Sequence, residues 1–194
     1  MIKVTDLKVI YPELTITFDD VEIKENAITF IRGQNGSGKT TLLKSLSSLI
    51  TYEGLIEGNL DITYNSPKPV LFNRSVLENI LYPLKIRKFN IDSYMDTVND
   101  YAKKLCLSPL FDKHAHKLSD GEQKKTSILR SIIFGPKILL LDEPTTSLDV
   151  ESIVELALLL KELKHSMTII IVSHDRAFIE ELYDDVIELG GNYV

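Results

Sequence analysis

Lys39 and Thr40 stand just before the end of the run R-G-Q-N-G-S-G-K-T-T, which begins at Arg32 and carries glycines at 33, 36 and 38. The spacing satisfies G-x-x-x-x-G-K-[ST], a loop that wraps nucleotide phosphates. The glycines permit backbone angles closed to other residues, so successive N–H groups across Gly33, Gln34, Asn35, Gly36, Ser37 and Gly38 can turn toward one anion. Lys39 adds a mobile positive charge suited to β- and γ-phosphates. Thr40 adds a hydroxyl suited to the magnesium ion that bridges them. Thr41 opens a stretch able to form a helix whose positive N-terminal end faces the same phosphates.

Residues farther along suit the same chemistry. The β-prone run 137–141, aliphatic from Ile138, ends in Asp142 and Glu143. An aspartate at the carboxyl end of a buried strand can hold magnesium, directly or through water. Glu143 points elsewhere and can orient or deprotonate an attacking water. The two acids could instead cap the turn at Pro144, a reading the phosphate loop weighs against. His174 follows another β-prone run, 167–172, which brings it to the same sheet edge and within reach of a terminal phosphate. Taken alone it reads as a locally bonded helix-start residue. His114 and His116 have no third ligand nearby, and their charged neighbours make them a solvated connector. Tyr11 could stack on a base or simply end its strand.

These residues need elements to carry them. Residues 27–31 are apolar and β-prone, a buried strand ahead of the glycine loop. Before it, two β segments at 2–4 and 7–10 are separated by a Tyr11-Pro12 turn from a third at 14–18. A further strand at 21–24 completes an antiparallel edge. After a helix at 40–50, Gly54 and Gly58 flank a segment that reads as a small hairpin ending in a strand near Tyr64. From Ser75 to about Leu110 the chain is helical, with a Ser75–Glu78 capping box, Asp92 opening a second apolar face, and Ser108-Pro109 as the stop. Residues 112–117 form a polar connector. Ser119, with Glu122 three residues on, caps a helix that Gly135-Pro136 ends. From 137 onward strands and helices alternate as βαβαβ, which predicts a parallel sheet covered by helices.

The chain has 194 residues, 44% of them hydrophobic, which suits one domain with a subdomain. Its 22 basic and 28 acidic residues give a net charge of −6 and no general attraction to phosphate backbones, so nucleic acid is not an expected partner. Cys106 is the only cysteine, which excludes an intrachain disulfide. The N-terminus lacks a signal-peptide core, and no apolar run is long enough to cross a bilayer. The expectation is a cytoplasmic chain that reaches a membrane through a partner.

In order, the phosphate loop (33–40), Leu118-Ser119-Asp120-Gly121-Glu122, the strand 138–143, Ser147-Leu148-Asp149 and His174 make nearly the whole chain resemble the nucleotide-binding domain of an ATP-binding cassette (ABC) ATPase. The resemblance implies an α/β P-loop NTPase fold, with a parallel-sheet core, an N-terminal antiparallel β subdomain and a helical subdomain. Residues 1–74 would be the β edge and phosphate-loop part, 75–135 the helical subdomain with the signature motif, and 136–194 the remaining core. It further implies ATP hydrolysis with Mg2+ by a head-to-tail pair, each ATP lying between the phosphate loop of one copy and the serine motif of the other. Tyr11 and residues Gly33 through Thr41 would bind ATP, and Thr40 and Asp142 would hold the metal. Glu143 would be the general base, His174 the γ-phosphate sensor and Lys39 the catalytic cation. Ser119, Asp120, Gly121 and Glu122 would meet the partner's ATP, and Ser147 and Asp149 would cross the pair interface. Asp120 replaces the usual second glycine, and Glu122 the usual glutamine.

A third departure is Pro67, at the place where the family carries a metal-reaching glutamine; proline has no amide to offer. The resemblance leaves two functions. One is the ATPase subunit of a membrane transporter, docked on a separate permease through the stretch 75–117. There Leu71, Phe72, Val76, Leu77 and Ile80 would line the dock or form a plain subdomain core. The other is a soluble ABC ATPase of translation or DNA maintenance. No long coiled coil lies between Lys39 and Asp142, and there is one cassette, which favours transport. Cargo and direction belong to the membrane partner.

Overall fold

A computed structural model describes residues 1–58 and 61–190, and the backbone of 192–193. The first strand, β1 (Ile2–Tyr11), buries Ile2 and Val4 and then Leu7 and Val9. That switch from even to odd positions requires one extra residue if both pairs face one side. It is Asp6, at φ 50, in the register shift between Thr5 and Lys8. The two expected segments are therefore one bulged strand. β2 (Leu14–Thr17) folds back on its second half, and β3 (Val21–Ile23) pairs with its first.

β4 (Ile28–Arg32) leads through the glycine loop into α1 (Lys39–Leu46), which ends earlier than expected, Ser48 turning at φ 54. β5 (Glu53–Glu57) and β6 (Ile62–Asn65) are not a hairpin: β5 pairs antiparallel with β1, and β6 parallel with the later strand Ile138–Asp142 in a different sheet. The two glycines serve close approach instead. A Cβ on Gly54 would lie 2.5 Å from the Asp6 carbonyl oxygen, and one on Gly58 2.8 Å from that of Met1.

The helical part comprises α2 (Val76–Ile86) and α3 (Met95–Lys104), with a 3-10 turn at Ile91–Tyr94 between them. Ser75 and Glu78 form the capping box on α2. Asn90, not Asp92, caps the turn, because its side chain accepts from the Asp92 N–H. α3 stops before Ser108, where Cys106 adopts φ 53. The connector is less solvated than expected. His114 bridges Ser75, and the α2 N–H groups of Val76 and Leu77 donate to the carbonyls of Lys113 and Phe111. No group of three potential metal ligands forms among the described residues.

α4 (Asp120–Ile132), β7 (Ile138–Asp142), α5 (Val150–Leu163), β8 (Thr168–Val172), α6 (Arg176–Leu182) and β9 (Asp185–Glu188) follow the expected alternation. β10 (Asn192–Tyr193), which carries no sequence signal, pairs with β2. The parallel sheet runs β6-β7-β8-β4-β9. Its central strands β7, β8 and β4 are buried on both faces, and successive residues feed two cores. Leu139, Leu141, Ile169 and Ile171 pack with the helices; Ile138, Leu140, Ile170 and Val172 pack with α1 and the antiparallel sheet. Each such side chain stabilises the fold by about 1.5–3 kcal/mol. Register sets Ile31 and Asp142 level with Val172, so the carboxyl ends of β4, β7 and β8 open on one edge. No helix among the described residues is long and apolar enough to cross a membrane.

Candidate functional site

The glycine loop spans that edge. Gly36 and Gly38 adopt φ 87 and 88, angles that side chains rarely take, and Gly38 is the N-cap of α1. No side chain caps this helix, and no acid stands in its first turn, so its leading N–H groups and positive dipole end can meet an anion. The Lys39 ammonium lies at 2.9 Å from the carbonyls of both Gly33 and Gln34, folding the loop over itself.

Opposite the loop, Asp142 is buried at the end of β7. Its Oδ2 accepts from the Thr40 hydroxyl at 2.9 Å and from the Tyr64 hydroxyl at 3.0 Å. Burial and the Asp142 charge push the Tyr64 phenol far above its ordinary range and keep it a donor. The other oxygen, Oδ1, is buried with no hydrogen-bond partner. A buried carboxylate oxygen left open beside a threonine hydroxyl is a fitting position for a hard cation whose other ligands are phosphate oxygens and water. Thr40 and Asp142 are thus the residues able to hold magnesium.

Glu143 holds φ 48 just past the strand, and its N–H donates to the Val172 carbonyl at the end of β8. Its Oε1 lies 3.4 Å from His174 Nε2, and its Oε2 is 3.4 Å from the His174 N–H. Desolvation raises its carboxyl above the usual range, outweighing the nearby imidazole. A cleft of about 370 Å³ is lined by Asn35, Lys39, Thr40, Pro67, Asp142, Glu143 and His174, among others. A second, of about 440 Å³, shares Lys39 and His174 with it and adds Arg32 and Arg176. Cation, carboxylates and imidazole converge as phosphoryl transfer to water demands.

The remaining candidates lie apart. Tyr11 ends β1 at the hairpin, 40% exposed, and lines neither cleft. Ser119 caps α4: its hydroxyl accepts from the Glu122 N–H at 3.2 Å, while Glu122 Oε2 accepts from the Ser119 N–H at 2.9 Å. Glu122 also pairs with Lys113 at 3.0 Å. Its burial opposes ionisation, but the Ser119 N–H and Lys113 outweigh it and lower its pKa. Gly121 abuts Ser147, whose carbonyl oxygen would stand 2.8 Å from an added Cβ. Ser147 adopts φ 68, and Asp149 caps α5 by accepting from the Ser152 N–H. Residues 119–122 and 147–149 therefore form one surface, outside the cleft around Lys39 in the same chain.

Sequence reasoning missed Lys124. Only 1% exposed on α4, it donates to the carbonyls of Pro67 at 2.9 Å and Ser66 at 3.2 Å. Burial pulls its ammonium down to about 8, against the pull of Asp142 and Glu143. The available signal was its place four residues before Ile128, on the inward stripe of the helix.

Comparison with known proteins decides the family. A family model described as ABC transporter matches residues 18–146. The chain belongs to the ABC transporter family. A second model, described as an AAA domain (putative AbiEii toxin, type IV toxin–antitoxin system), matches the shorter stretch 114–180. The tungstate uptake system ATP-binding protein TupC of Peptoclostridium acidaminophilum is 36% identical over 205 residues, covering 100% of this chain and 96% of that protein. The arginine transport ATP-binding protein ArtM of Bacillus subtilis is 30% identical over 184 residues, covering 85% and 77%. The structure of cbiO1 from Clostridium perfringens, part of the ABC transporter complex cbiONQ, matches with a TM-score of 0.84 at 28% identity, covering 100% and 86%. As an ABC ATP-binding subunit, the chain is an ATPase coupled to transport.

Proposed function

We propose that this ABC subunit works as a head-to-tail pair closing on two Mg-ATP, and that it drives uptake through a separate permease on the cytoplasmic face of a membrane. The observation that carries the pairing is the split of its functional residues. Lys39, Asp142, Glu143 and His174 share one cleft, whereas Ser119, Gly121, Ser147 and Asp149 share a different surface of the same chain. One copy holds half a site twice over, and a second copy turned head to tail completes both.

In that pair Lys39 and the α1 N-terminus bind the β- and γ-phosphates, and Thr40 and Asp142 hold magnesium. When bound, magnesium neutralises charge on the β- and γ-phosphate oxygens. Glu143 accepts a proton from water as the water oxygen bonds to the γ-phosphorus. The bond from that phosphorus to the bridging oxygen breaks, releasing ADP and phosphate. The raised carboxyl of Glu143 suits it to this proton. His174, beside it, positions the water against the γ-phosphate. Ser119 and Gly121 contact the γ-phosphate of the partner's ATP, and Tyr11 stacks on adenine.

The permease dock falls at a groove lined by Pro69, Val70, Leu71, Phe72, His116 and Gln123, where Val70 and Phe72 are 74% and 40% exposed. Val76 and Ile80 have no part in it, being fully buried in the helical core. Uptake rather than export is supported by the uptake role in the name of TupC, and a tungstate-like oxyanion is the first cargo to test. Affinity purification from solubilised membranes tests the transport reading. Co-purification of a multi-span protein is the expected result, and recovery with ribosomes or DNA would favour the soluble alternative.

A further inference from the structure

α4 is buried along most of its length although its sequence is polar, with Lys124, Lys125, Thr126, Ser127 and Ser131 all inside. Buried polar groups need partners, and several find theirs on one segment. The Asn65 amide donates to the hydroxyls of Ser127 at 3.0 Å and Ser131 at 2.9 Å. Arg130 donates to the Val70 carbonyl at 2.7 Å. Lys124 donates to the carbonyls of Ser66 and Pro67 and also stands 3.5 Å from the Asp142 carbonyl. The segment 65–70 is thus fastened to the signature helix along its length, and Lys124 alone of these side chains reaches both the segment and the strand end that carries Asp142.

The oxygens bonded to that ammonium are main-chain carbonyls, so it is a buried cation held by dipoles and not by a carboxylate, an arrangement that costs stability. Pro67 lines the nucleotide cleft with Asp142, and three residues on, Val70 opens the groove proposed as the dock. Pro67 has no side-chain donor of its own. A change at the Asp142 backbone therefore has a short, polar route to the groove, and it runs through Lys124.

We propose that Lys124 is the positioning residue that links the nucleotide site to the groove at 70–72. Its ammonium holds the Ser66 and Pro67 carbonyls against the Asp142 main chain, so nucleotide occupancy is passed to the segment by a helix side chain instead of a loop amide. This rests on the ATPase reading above.

Amide hydrogen exchange on the purified chain, with and without magnesium and a non-hydrolysable ATP analogue, tests it. In the wild type, the analogue should protect both 33–41 and 66–72. In Lys124→Met, protection of 33–41 should remain while the nucleotide-linked change at 66–72 is lost; Lys124→Arg should restore part of it. In steady state, Lys124→Met should lower kcat by about tenfold with KM for ATP within about threefold. If Lys124→Met does not fold, Lys124→Leu, which also lacks a donor, is read in the same way. Nucleotide-linked protection of 66–72 that persists in the neutral variant overturns the role of Lys124, as does its absence from the wild type. Absence of protection at 33–41 in the wild type overturns the ATPase reading instead.

Discussion

α1 and α4 both begin where a phosphate is expected, and they begin in opposite ways. Gly38 starts α1 with no side-chain cap and no acid in the first turn. Ser119 starts α4 with a full capping box, and Asp120 and Glu122 add two acids to its first turn. The first helix end presents donors and positive potential to any anion that arrives. The second has satisfied two of its donors internally, and its acids oppose an incoming phosphate. It can therefore receive only an anion that brings its own counter-charges, which the partner's Lys39 and metal would supply. On the proposed pairing, the same helix-terminus physics would serve once for capture and once for recognition of an already bound nucleotide.

That contrast can be broken at several points. Glu143→Gln removes the proposed proton acceptor and should lower turnover by about 10²–10⁴-fold while nucleotide still binds. Because burial raises the Glu143 carboxyl, wild-type turnover should fall with decreasing pH at a higher pH than an ordinary glutamate would give. Below that range the residue is protonated and cannot accept a proton. Lys39→Met should weaken ATP binding by the isolated chain by about 10- to 100-fold in a titration, since a charge-assisted bond is lost. Ser119→Ala should leave that affinity within about twofold, yet cost roughly 1 kcal/mol of thermal stability from the lost cap and slow turnover of the pair. Equal losses of monomer affinity in the two variants would erase the distinction between the helix ends. The smallest effect belongs to Glu122→Gln. It removes one acid and leaves Lys113 unpaired at a partly exposed site, with a stability change within about 1 kcal/mol.

Much of this was legible in the sequence, because local chemistry and tertiary placement agree there. Ser75–Glu78 and Ser119–Glu122 announce their helices, and the β-prone runs at 137–141 and 167–172 read as strands of a parallel sheet. Legibility failed where a residue answers to a distant neighbour. Gly54 and Gly58 look like turn residues and are instead points of contact with β1. Asp6 hides a bulge that only the parity of its neighbours betrays. Lys124 sits in a Gln-Lys-Lys run that resembles a solvated face, and its partners lie on a segment nearly sixty residues earlier in the chain. The approach of Glu143 to His174 needed the sheet order, which brings β7 and β8 side by side.

The split site is tested most directly by the association state of the Glu143→Gln chain, measured by sedimentation with and without Mg-ATP. The expected result is a monomer that becomes a dimer when ATP is added, and that stays monomeric while still binding ATP when Ser119→Ala is introduced as well. A Glu143→Gln chain that binds ATP and remains monomeric at high concentration would contradict the shared site.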